Sequence, residues 1–459
     1  MSTRSTSAEP TPRDLGGRGR DVYAVALLAL MALFLFADQN LMAPNLTQMA
    51  TELGLTPEER DTRLAGEVSL WFWLVGGVTS IGIGYLTDRV RRTRLIAAVV
   101  FFGEIPCFLT GFAETYEQLF WLRVLTGLGI GGVFPLIYSL LGDYFGPRVR
   151  AAATASIGLA MGVGIAYGQL LAGSLGESHG WRLPFMIVAV PNFALAPLFL
   201  ATIREPERGR SEAALAGGHG GHGQGGRITW AAYEQLFRIR TNLLVFVQSL
   251  FGTVPWGVFF VYLNDFLAQD KGYGVQTATN VVVGIGGAAI LGGFTGGLLG
   301  NRLYNRHPRY LPLMCGVTTL IAMIPMAALI EFPSQAGVSE PLILPLLLTG
   351  AAAGFAAAMT SSNIRAVLLN VNAPETRGSI FALYNLFDDL GRGLGPFFIG
   401  LLIASLGRVT AFHVANLLWL GCALLLFVMS RTFPRDEIAM TRRLRESARG
   451  APPHDVSIT

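Results

Sequence analysis

The stretch Gly84-Tyr-Leu-Thr-Asp88-Arg89-Val-Arg91-Arg92-Thr-Arg94 is a short, strongly basic segment between two apolar runs. The run before it covers about residues 66–86, and the run after it covers about residues 95–112. Each approaches the roughly 20 residues that a helix needs to cross a bilayer. Arginines clustered between two spans hold the loop on the cytoplasmic side. The stretch therefore predicts two membrane helices joined by a cytoplasmic loop. The alternative is a charge cluster that only sets the topology.

The composition of the whole chain also indicates a membrane protein. Of the 459 residues, 52% are hydrophobic and 14% are charged, and a soluble protein with so little charge would be hard to keep in solution. The net charge of +4 comes almost wholly from arginine, because Lys271 is the only lysine. These arginines lie in short loops between apolar runs, which argues against binding to nucleic acid.

Twelve apolar runs predict an all-α membrane protein with twelve transmembrane helices. The runs cover about residues 22–42, 66–86, 95–112, 119–141, 152–175, 183–203, 242–265, 278–299, 311–331, 342–364, 379–406 and 410–430. They divide into two six-helix halves with a linker and two polar tails, at residues 1–21, 22–203, 204–240, 241–431 and 432–459. The Gly-rich linker carries His219 and His222, which make a weak metal site in a flexible tract. We therefore expect no metal and no cofactor.

Charge is distributed unequally between the loops. Loops after even-numbered helices are rich in arginine, whereas loops after odd-numbered helices carry mostly Asp and Glu. Because Lys and Arg are enriched in cytoplasmic loops, we predict that both termini are cytoplasmic. The expected location is the cell's inner (plasma) membrane, crossed many times.

The two halves repeat short sequence patterns. The segment Gly297-Leu-Leu-Gly-Asn301-Arg302 after the eighth helix resembles the basic loop after the second, and Pro374-Glu-Thr-Arg377 resembles Pro147-Arg-Val-Arg150. Both matches relate helix n to helix n+6, which indicates a parallel duplication of six helices. The second copy has Asn301 where the first has Asp88, so it has lost that charge.

The basic loop resembles the G-x-L-x-D-R-x-[GR]-R-[RK] signature of the major facilitator superfamily of secondary transporters. The matching positions are Gly84, Leu86, Asp88, Arg89, Arg91 and Arg92. In the fourth helix, Arg123-x-x-x-Gly127-x-Gly129 is similar to a family motif, and the glycines of the fifth helix resemble another. The resemblance implies two halves that rock about a central site. It does not imply an enzyme, and His413 has no partner at a catalytic spacing.

Within the superfamily the chain looks most like the Spinster-like branch, which carries lysolipids and related amphiphiles. The likeness is carried by Asp38, Arg123, Trp181-Arg182, the segment 204–209 and Val254-Pro255-Trp256-Gly257. The chain departs from the branch at Gln39, where Arg is usual, and at Gly131, where Glu is usual. The resemblance implies a monomeric, proton-coupled transporter of a lysophospholipid or an organic anion. A multidrug or sugar exporter of the same superfamily is the alternative, and a sensor that no longer transports is another.

Charged side chains inside the predicted helices are candidates for the substrate or proton site, because each costs about 2.5–3.5 kcal/mol to insert. These residues are Asp38, Glu104, Arg123, Asp388, Asp389 and Arg392. Each also has a structural interpretation: a packing group satisfied by a nearby Asn, an arginine that extends to the surface, or an ion pair along one helix face. Trp256 is a candidate for an apolar cavity wall, and a lipid-facing position is as plausible for it.

A second group of residues is expected to control opening and closing. It resembles the family's cytoplasmic charge network and consists of Gly84, Asp88, Arg89, Arg92, Asp143, Arg150 and Arg377. We expect Asp88 to face the N-terminus of the eleventh helix, where the helix dipole favours a carboxylate. Breaking and forming these contacts would shift the equilibrium between two conformations.

Overall fold

The computed structural model of the protein describes residues 12–87, 89–145, 147–206, 236–337, 342–373 and 376–448. In these ranges the chain is almost entirely helical, and they contain no β-strand. Twelve helices in this part of the chain are long and apolar enough to cross a membrane. The predicted fold class, an all-α membrane protein with twelve membrane helices, is therefore confirmed.

The helices are numbered in chain order. The N-terminal half contains α1 (Asp21–Glu52), α2 (Pro57–Thr87), α3 (Arg92–Thr110), α4 (Tyr116–Tyr144), α5 (Ala153–His179) and α6 (Arg182–Thr202). The C-terminal half contains α7 (Arg240–Asp270), α8 (Val275–Arg306), α9 (Tyr310–Ile330), α10 (Ile343–Val371), α11 (Ser379–Leu406) and α12 (Arg408–Arg445). Successive helices run in opposite directions. The start of α1, the α6–α7 connection and the end of α12 therefore share one end of the molecule, here called the linker end. The opposite end is called the distal end.

Three of these helices depart from regular α-geometry next to charged residues. The α-helical part of α1 ends at Ala37, and two 3₁₀ turns follow, the first at Asp38–Asn40. The distal end of α2 is a π-helix over Arg60–Glu67, and α7 ends in a π-helix over Phe266–Asp270. Such segments are frequent at functional sites, because they redirect side chains and free backbone groups.

Glycine lets α3 and α4 approach closely in the N-terminal half. A Cβ atom added at Gly103 would lie 2.6 Å from the Cα atom of Gly129, so neither position has room for a side chain. Small residues serve this purpose in membrane bundles, where close backbone approach drives helix packing. The contact brings Glu104, the neighbour of Gly103, to the side of α4.

The apolar core has a different shape at the two ends of the molecule. At the distal end one continuous cluster of buried residues includes Leu41 and Leu64 from the N-terminal half and Tyr262 and Phe412 from the C-terminal half. Toward the linker end the core separates into two clusters, one within each half. The buried apolar core therefore joins the two halves at the distal end and is divided between them toward the linker end.

The backbones of α2 and α11 make the tightest part of this distal contact. A Cβ atom at Gly66 would lie 3.2 Å from the Cα atom of Phe397. A Cβ atom at Gly400 would lie 2.5 Å from the carbonyl oxygen of Asp61. A larger residue at either glycine would therefore push the halves apart at this end.

Candidate functional site

A buried ion pair lies inside the N-terminal half, between α1 and α4. The Arg123 Nη1 atom is 2.5 Å from the Asp38 Oδ1 atom, and Nη2 donates to the Asp38 carbonyl oxygen at 3.3 Å. Asp38 is 0% exposed and Arg123 is 2% exposed. The faces of Phe72 and Phe185 flank the guanidinium at 5.2 and 5.3 Å. Sequence reasoning had left open an Asn partner for Asp38 and a surface position for Arg123, and the structure instead places the two residues together.

The break in α1 produces this geometry. Because the regular helix ends at Ala37, both the carbonyl oxygen and the carboxylate of Asp38 face Arg123. Within the described ranges, neither the Asp38 Oδ2 atom nor the Arg123 Nε atom has a hydrogen-bond partner. The pair is desolvated and only partly satisfied, which is a costly arrangement in a protein interior.

Glu104 of α3 lies in the same buried region. It is 0% exposed, and its Oε1 atom accepts a hydrogen bond from Asn192 Nδ2 of α6 at 2.6 Å. Its Oε2 atom has no partner among the described residues. Glu104 is within electrostatic range of Asp38 and Arg123. The three side chains are here called the N-cluster, and they combine two carboxyl groups with one guanidinium.

A second group, here called the C-cluster, lies on α11 and consists of Asp388, Asp389 and Arg392. Arg392 Nη2 is 2.8 Å from Asp388 Oδ2, so the pairing predicted for residues four apart is present. The Asp388 side chain is 16% exposed and that of Arg392 is 38% exposed. Asp389 is half-buried and makes no ion pair with described residues. The Arg392 guanidinium also lies 5.2 Å from the ring of Trp73 on α2, across the boundary between the halves.

Trp256 of α7 belongs to an aromatic group beside this cluster. Its ring stacks on Phe260 at 5.4 Å and meets the edge of Trp419 at 6.1 Å. The ring is half-buried. On the next residue, a Cβ atom at Gly257 would lie 2.5 Å from the Arg392 carbonyl oxygen. The glycine thus allows α7 to pack directly against α11 at the C-cluster.

At the linker end, Arg92 organises a network within the N-terminal half. Its guanidinium pairs with Asp143 at the end of α4 and with Glu205 after α6, where the Nε–Oε1 distance is 2.9 Å. Glu205 also accepts hydrogen bonds from the Thr93 N–H at 2.9 Å and the Thr93 hydroxyl at 2.8 Å. This network ties α3, α4 and the start of the linker together. It includes two of the residues predicted for gating, Arg92 and Asp143.

The charge state of Glu205 follows from these contacts. Burial raises the pKa of its carboxyl, but the hydrogen bonds from the Thr93 and Arg92 backbone, the Arg92 guanidinium and the Thr93 hydroxyl outweigh this. The pKa is therefore held below its ordinary value, and Glu205 is ionised near neutral pH. Glu205 lies in the segment 204–209, and the sequence of that segment does not predict this role.

The other predicted gating residues are described only in part. The Arg89 guanidinium lies 4.0 Å from the ring of Tyr85, and a Cβ atom at Gly84 would meet no atom within 4 Å. Asp88, and the linker histidines His219 and His222, lie outside the described residues, as do the side chains of Arg150 and Arg377. The predicted contact between Asp88 and the N-terminus of α11 therefore stays a prediction.

A charge network at the distal end was missed by sequence reasoning. Arg408, at the start of α12, lies 2.6 Å from Asp61 of α2, 2.8 Å from Asp265 of α7 and 2.7 Å from Asp270. Arg60 reaches Asp265 at 3.6 Å. Asp61 and Arg408 come from different halves, 347 positions apart. These residues are here called the distal network.

Hydroxyl groups complete the distal network. The Tyr262 hydroxyl lies within hydrogen-bond distance of two carbonyl oxygens, that of Asp61 at 2.6 Å and that of Pro396 at 2.8 Å. The Thr47 hydroxyl and N–H both reach Asp265 Oδ1, at 2.5 and 3.1 Å. Among the described residues, the ion pairs that join the two halves, Arg60–Asp265 and Asp61–Arg408, both belong to this network.

The sequence did contain a signal for this network. Asp61 and Arg60 open α2, Asp265 and Asp270 close α7, and Arg408 opens α12. Alternation of helix direction brings all three positions to the distal end. Charges at helix ends indicate the sidedness of loops and not their own partners, so the sequence does not predict this pairing.

Comparison with known proteins agrees with this architecture. The sequence model of the Major Facilitator Superfamily matches residues 28–342. An MFS-type efflux pump of Mycolicibacterium smegmatis is 24% identical over 96% of this chain and 100% of its own length. A cis,cis-muconate transport protein of Acinetobacter baylyi is 25% identical over 63% of this chain and 68% of its own length.

A similar fold is also found among solved structures. A bacterial homologue of the human lysosomal transporter Spinster, solved in an inward-facing and unoccupied conformation, aligns with a TM-score of 0.78 and 21% identity. The alignment covers 91% of this chain and 98% of the homologue. The expected likeness to the Spinster-like branch is thus found in the fold. The twelve helices, their arrangement in two halves and the matched family model together show that the chain belongs to the major facilitator superfamily of transporters.

Proposed function

We propose that this protein is a proton-coupled secondary transporter that moves an amphiphilic organic solute, a lysophospholipid or an organic anion, by alternating access. In this proposal it works as a monomer in the inner membrane with both termini in the cytoplasm. The structure then corresponds to the state that is closed to the outside and open to the cytoplasm.

The observation that carries the proposal is the contrast between the two ends. The distal network and the shared distal core join the halves, whereas the core is divided between the halves toward the linker end. A transporter of this type needs contacts at one end that break when contacts at the other end form. Ionic contacts between halves are suited to this, because water can solvate their charges after they separate.

The N-cluster supports proton coupling. Its two carboxyl groups and one guanidinium lie in a region closed to solvent, so full ionisation would leave one uncompensated negative charge. A buried unpaired charge is strongly unfavourable, and binding of one proton removes it. Asp38 and Glu104 are the two groups that can hold this proton.

The C-cluster supports recognition of an organic anion. It is half-buried at the boundary between the halves, and a guanidinium binds carboxylate or phosphate through two parallel hydrogen bonds. The likeness to a muconate transport protein favours a carboxylate, and the Spinster-like fold favours an amphiphile. The efflux-pump relative, which aligns over its whole length, favours the second candidate function, drug export.

Transport by purified protein in proteoliposomes tests the proposal. Uptake of lysophosphatidylcholine and of cis,cis-muconate would be measured with and without an imposed pH gradient. We expect uptake of one of them to depend on the gradient in the wild type, and we expect Asp38→Asn or Glu104→Gln to abolish that dependence. Glu331→Gln is the matched control, because Glu331 is 63% exposed at the distal surface.

Two outcomes would contradict the proposal, and a third would invalidate the assay. If the pH dependence of uptake were unchanged in both N-cluster variants, the N-cluster would not hold the coupling proton. Uptake of neither solute by folded wild type, together with export of a cationic dye, would favour the drug exporter. Equal loss in Glu331→Gln would show that the assay responds to any lost carboxylate.

A further inference from the structure

One face of α12 carries a stripe of exposed apolar residues. Its members lie three or four positions apart, which places them on one side of the helix. Each is between 41% and 57% exposed: Leu417, Leu420, Leu424 and Val428. Phe433, on the opposite side of α12, is 0% exposed and packs in the core of the C-terminal half. An exposed apolar stripe on a membrane helix, directed away from its own bundle, faces the lipid chains.

The stripe continues with arginine where α12 leaves the apolar run. Arg431 and Arg435 follow Val428 at the same spacing and are exposed. At the helical rise of 1.5 Å per residue, they lie about 4.5 and 10.5 Å beyond Val428 along the helix axis. The polar layer of a bilayer is roughly 5–7 Å thick on each side, and an arginine side chain extends to keep its charged end in that layer. Both guanidinium groups therefore reach the depth of the lipid headgroups.

Contacts on the inner face fix the rotation of this part of α12. The Asp436 Oδ2 atom accepts a hydrogen bond from the Thr241 N–H of α7 at 2.9 Å. The Glu437 Oε1 atom accepts one from Asn370 Nδ2 of α10 at 2.9 Å and also pairs with the Tyr304 hydroxyl of α8. The acidic side chains therefore point into the C-terminal half, and the outer face of the helix is left positively charged.

The neighbouring helix α9 supplies a third arginine at a similar depth. A Cβ atom at Gly316 would lie 2.5 Å from the Phe427 Cε1 atom, so the two antiparallel helices are in close contact there. Arg309 precedes Gly316 by seven residues, and Arg435 follows Phe427 by eight, so both lie toward the linker end at nearly the same level. Seven residues are about two helical turns, which places Arg309 on the side of α9 next to α12. Arg309 is also exposed.

The residue after Arg309 marks the same depth as interfacial. Tyr310 is 46% exposed and begins the exposed apolar stripe of α9, which continues through Val317 and Ile321 at 48% and 51% exposure. Tyrosine is enriched where a membrane helix passes from the lipid chains to the headgroups, because its ring is apolar and its hydroxyl is polar. The position of Tyr310 therefore supports a headgroup depth for the three arginines.

The chemistry of this surface selects one kind of ligand. A guanidinium binds a phosphate through two parallel hydrogen bonds, and clustered arginines beside a membrane helix attract anionic lipids. A free phosphate would use only the arginines, whereas a phospholipid would also cover the apolar stripe that adjoins them. The continuity of the apolar and basic parts on one helix face therefore favours a lipid.

We infer that Arg309, Arg431 and Arg435 form a binding surface for an anionic phospholipid in the leaflet at the linker end. The phosphate lies on the arginines, and the acyl chains lie against Leu424 and Val428. The surface belongs wholly to the C-terminal half. The inference does not depend on which solute the protein transports.

Quenching of a fluorescent label by brominated lipid tests the surface locally. A bimane label on Leu424→Cys lies on the lipid-facing stripe, and the native cysteines are buried. The labelled protein is placed in vesicles of equal amounts of phosphatidylglycerol, which is anionic, and phosphatidylcholine, which has no net charge. Either lipid carries bromine on its acyl chains. The ratio of the two quenching efficiencies measures which lipid occupies the surface.

The variants change the arginines at headgroup depth and, as a control, two arginines further along the same face. The test variants are Arg431→Gln/Arg435→Gln and Arg431→Lys/Arg435→Lys. The control is Arg442→Gln/Arg445→Gln, because these exposed residues lie about 21 and 26 Å beyond Val428, outside the headgroup layer. The control loses the same charge from the same helix. Circular dichroism before reconstitution checks that each variant is folded.

We expect the wild type to prefer phosphatidylglycerol at the label. The preference should fall by roughly 5- to 30-fold in Arg431→Gln/Arg435→Gln, as for the loss of two cations near a negative membrane surface. The lysine variant should keep most of the preference, since it keeps the charge, and so should the control pair. Inorganic phosphate should displace no more phosphatidylglycerol than sodium chloride does at the same ionic strength.

Four outcomes would overturn the inference. The first is equal quenching by the two lipids in the wild type. The second is an unchanged preference in folded Arg431→Gln/Arg435→Gln. An equal loss in Arg442→Gln/Arg445→Gln would mean that the net charge of the segment, and not this surface, attracts the lipid. Displacement by inorganic phosphate beyond the effect of salt would identify a site for a free anion.

Discussion

The N-cluster and the C-cluster have the same composition and different surroundings. Each contains two carboxyl groups and one arginine on membrane helices. The N-cluster is assembled from α1, α3 and α4, and its Asp38 and Glu104 are 0% exposed. The C-cluster comes from one stretch of α11, and its Arg392 side chain is 38% exposed. The comparison shows that burial, and not composition, determines how far water can solvate the charged groups of each cluster.

The difference in burial between the two clusters should have its largest effect on the stability of variants that lose the arginine. Removal of one partner from a buried ion pair leaves a desolvated charge and typically costs about 3–5 kcal/mol. We therefore expect Arg123→Gln to destabilise the protein by about that amount, because Asp38 remains buried. Arg392→Gln should cost less than about 1 kcal/mol, since water can solvate Asp388. Thermal unfolding of the two variants in the same detergent measures the contrast.

A double variant checks the cause of this effect. Asp38→Asn together with Arg123→Gln removes both charges, so it should be more stable than Arg123→Gln alone. Similar unfolding midpoints for Arg123→Gln and Arg392→Gln would mean that the two clusters do not differ in solvation as the structure indicates.

The same comparison of buried and exposed carboxylates applies to the distal network. Asp61 and Asp270 both pair with Arg408, but the Asp61 side chain is 5% exposed and joins the two halves. The Asp270 side chain is 41% exposed and lies in the same half as Arg408. We expect Asp61→Asn to shift the equilibrium toward a separated distal end by about tenfold, or ~1.4 kcal/mol. Asp270→Asn should shift it much less.

Distances between spin labels at the distal end can measure this shift. Glu58→Cys on α2 and Gln269→Cys on α7 are exposed positions in opposite halves, and the native cysteines are buried. The fraction of molecules with a longer distance between the two labels should increase in Asp61→Asn and not in Asp270→Asn. Equal distance distributions in all three proteins would show that the distal network does not hold the halves together.

The smallest expected effect concerns Glu205, whose partners all lie within one half. Its pKa is held below the ordinary carboxyl value of 4.5, so its ionised form stabilises the folded protein. That stability is present above the ordinary pKa and is lost as the pH falls through the lower folded value. We expect Glu205→Gln to cost about 1 kcal/mol at pH 7, with little change in the distal distance.

Unfolding midpoints measured from neutral to acidic pH test this prediction. The midpoint of the wild type should approach that of Glu205→Gln as the pH falls below the ordinary carboxyl value. A difference that stays constant down to acidic pH would mean that Glu205 acts through packing and not through its charge.

The candidate site was predictable in part. Sequence reasoning found Asp38, Arg123 and Glu104, because a charge in an apolar run is conspicuous wherever it occurs. It also found the Asp388–Arg392 pair, since four positions along a helix fix the geometry. It missed Asp61 and Arg408 because charges at helix ends are common and individually uninformative.

The twelve helices, their grouping into two halves and the superfamily could be predicted from the sequence alone. These follow from local properties, the length of each apolar run and short motifs, which do not depend on distant residues. The pairing of Asp38 with Arg123, 85 positions away, and that of Asp61 with Arg408 are seen only in the folded protein. Such pairings depend on which helix faces meet and on breaks such as the one after Ala37. Small differences in packing among many helices determine which faces meet and where a helix breaks. No single stretch of sequence contains this information.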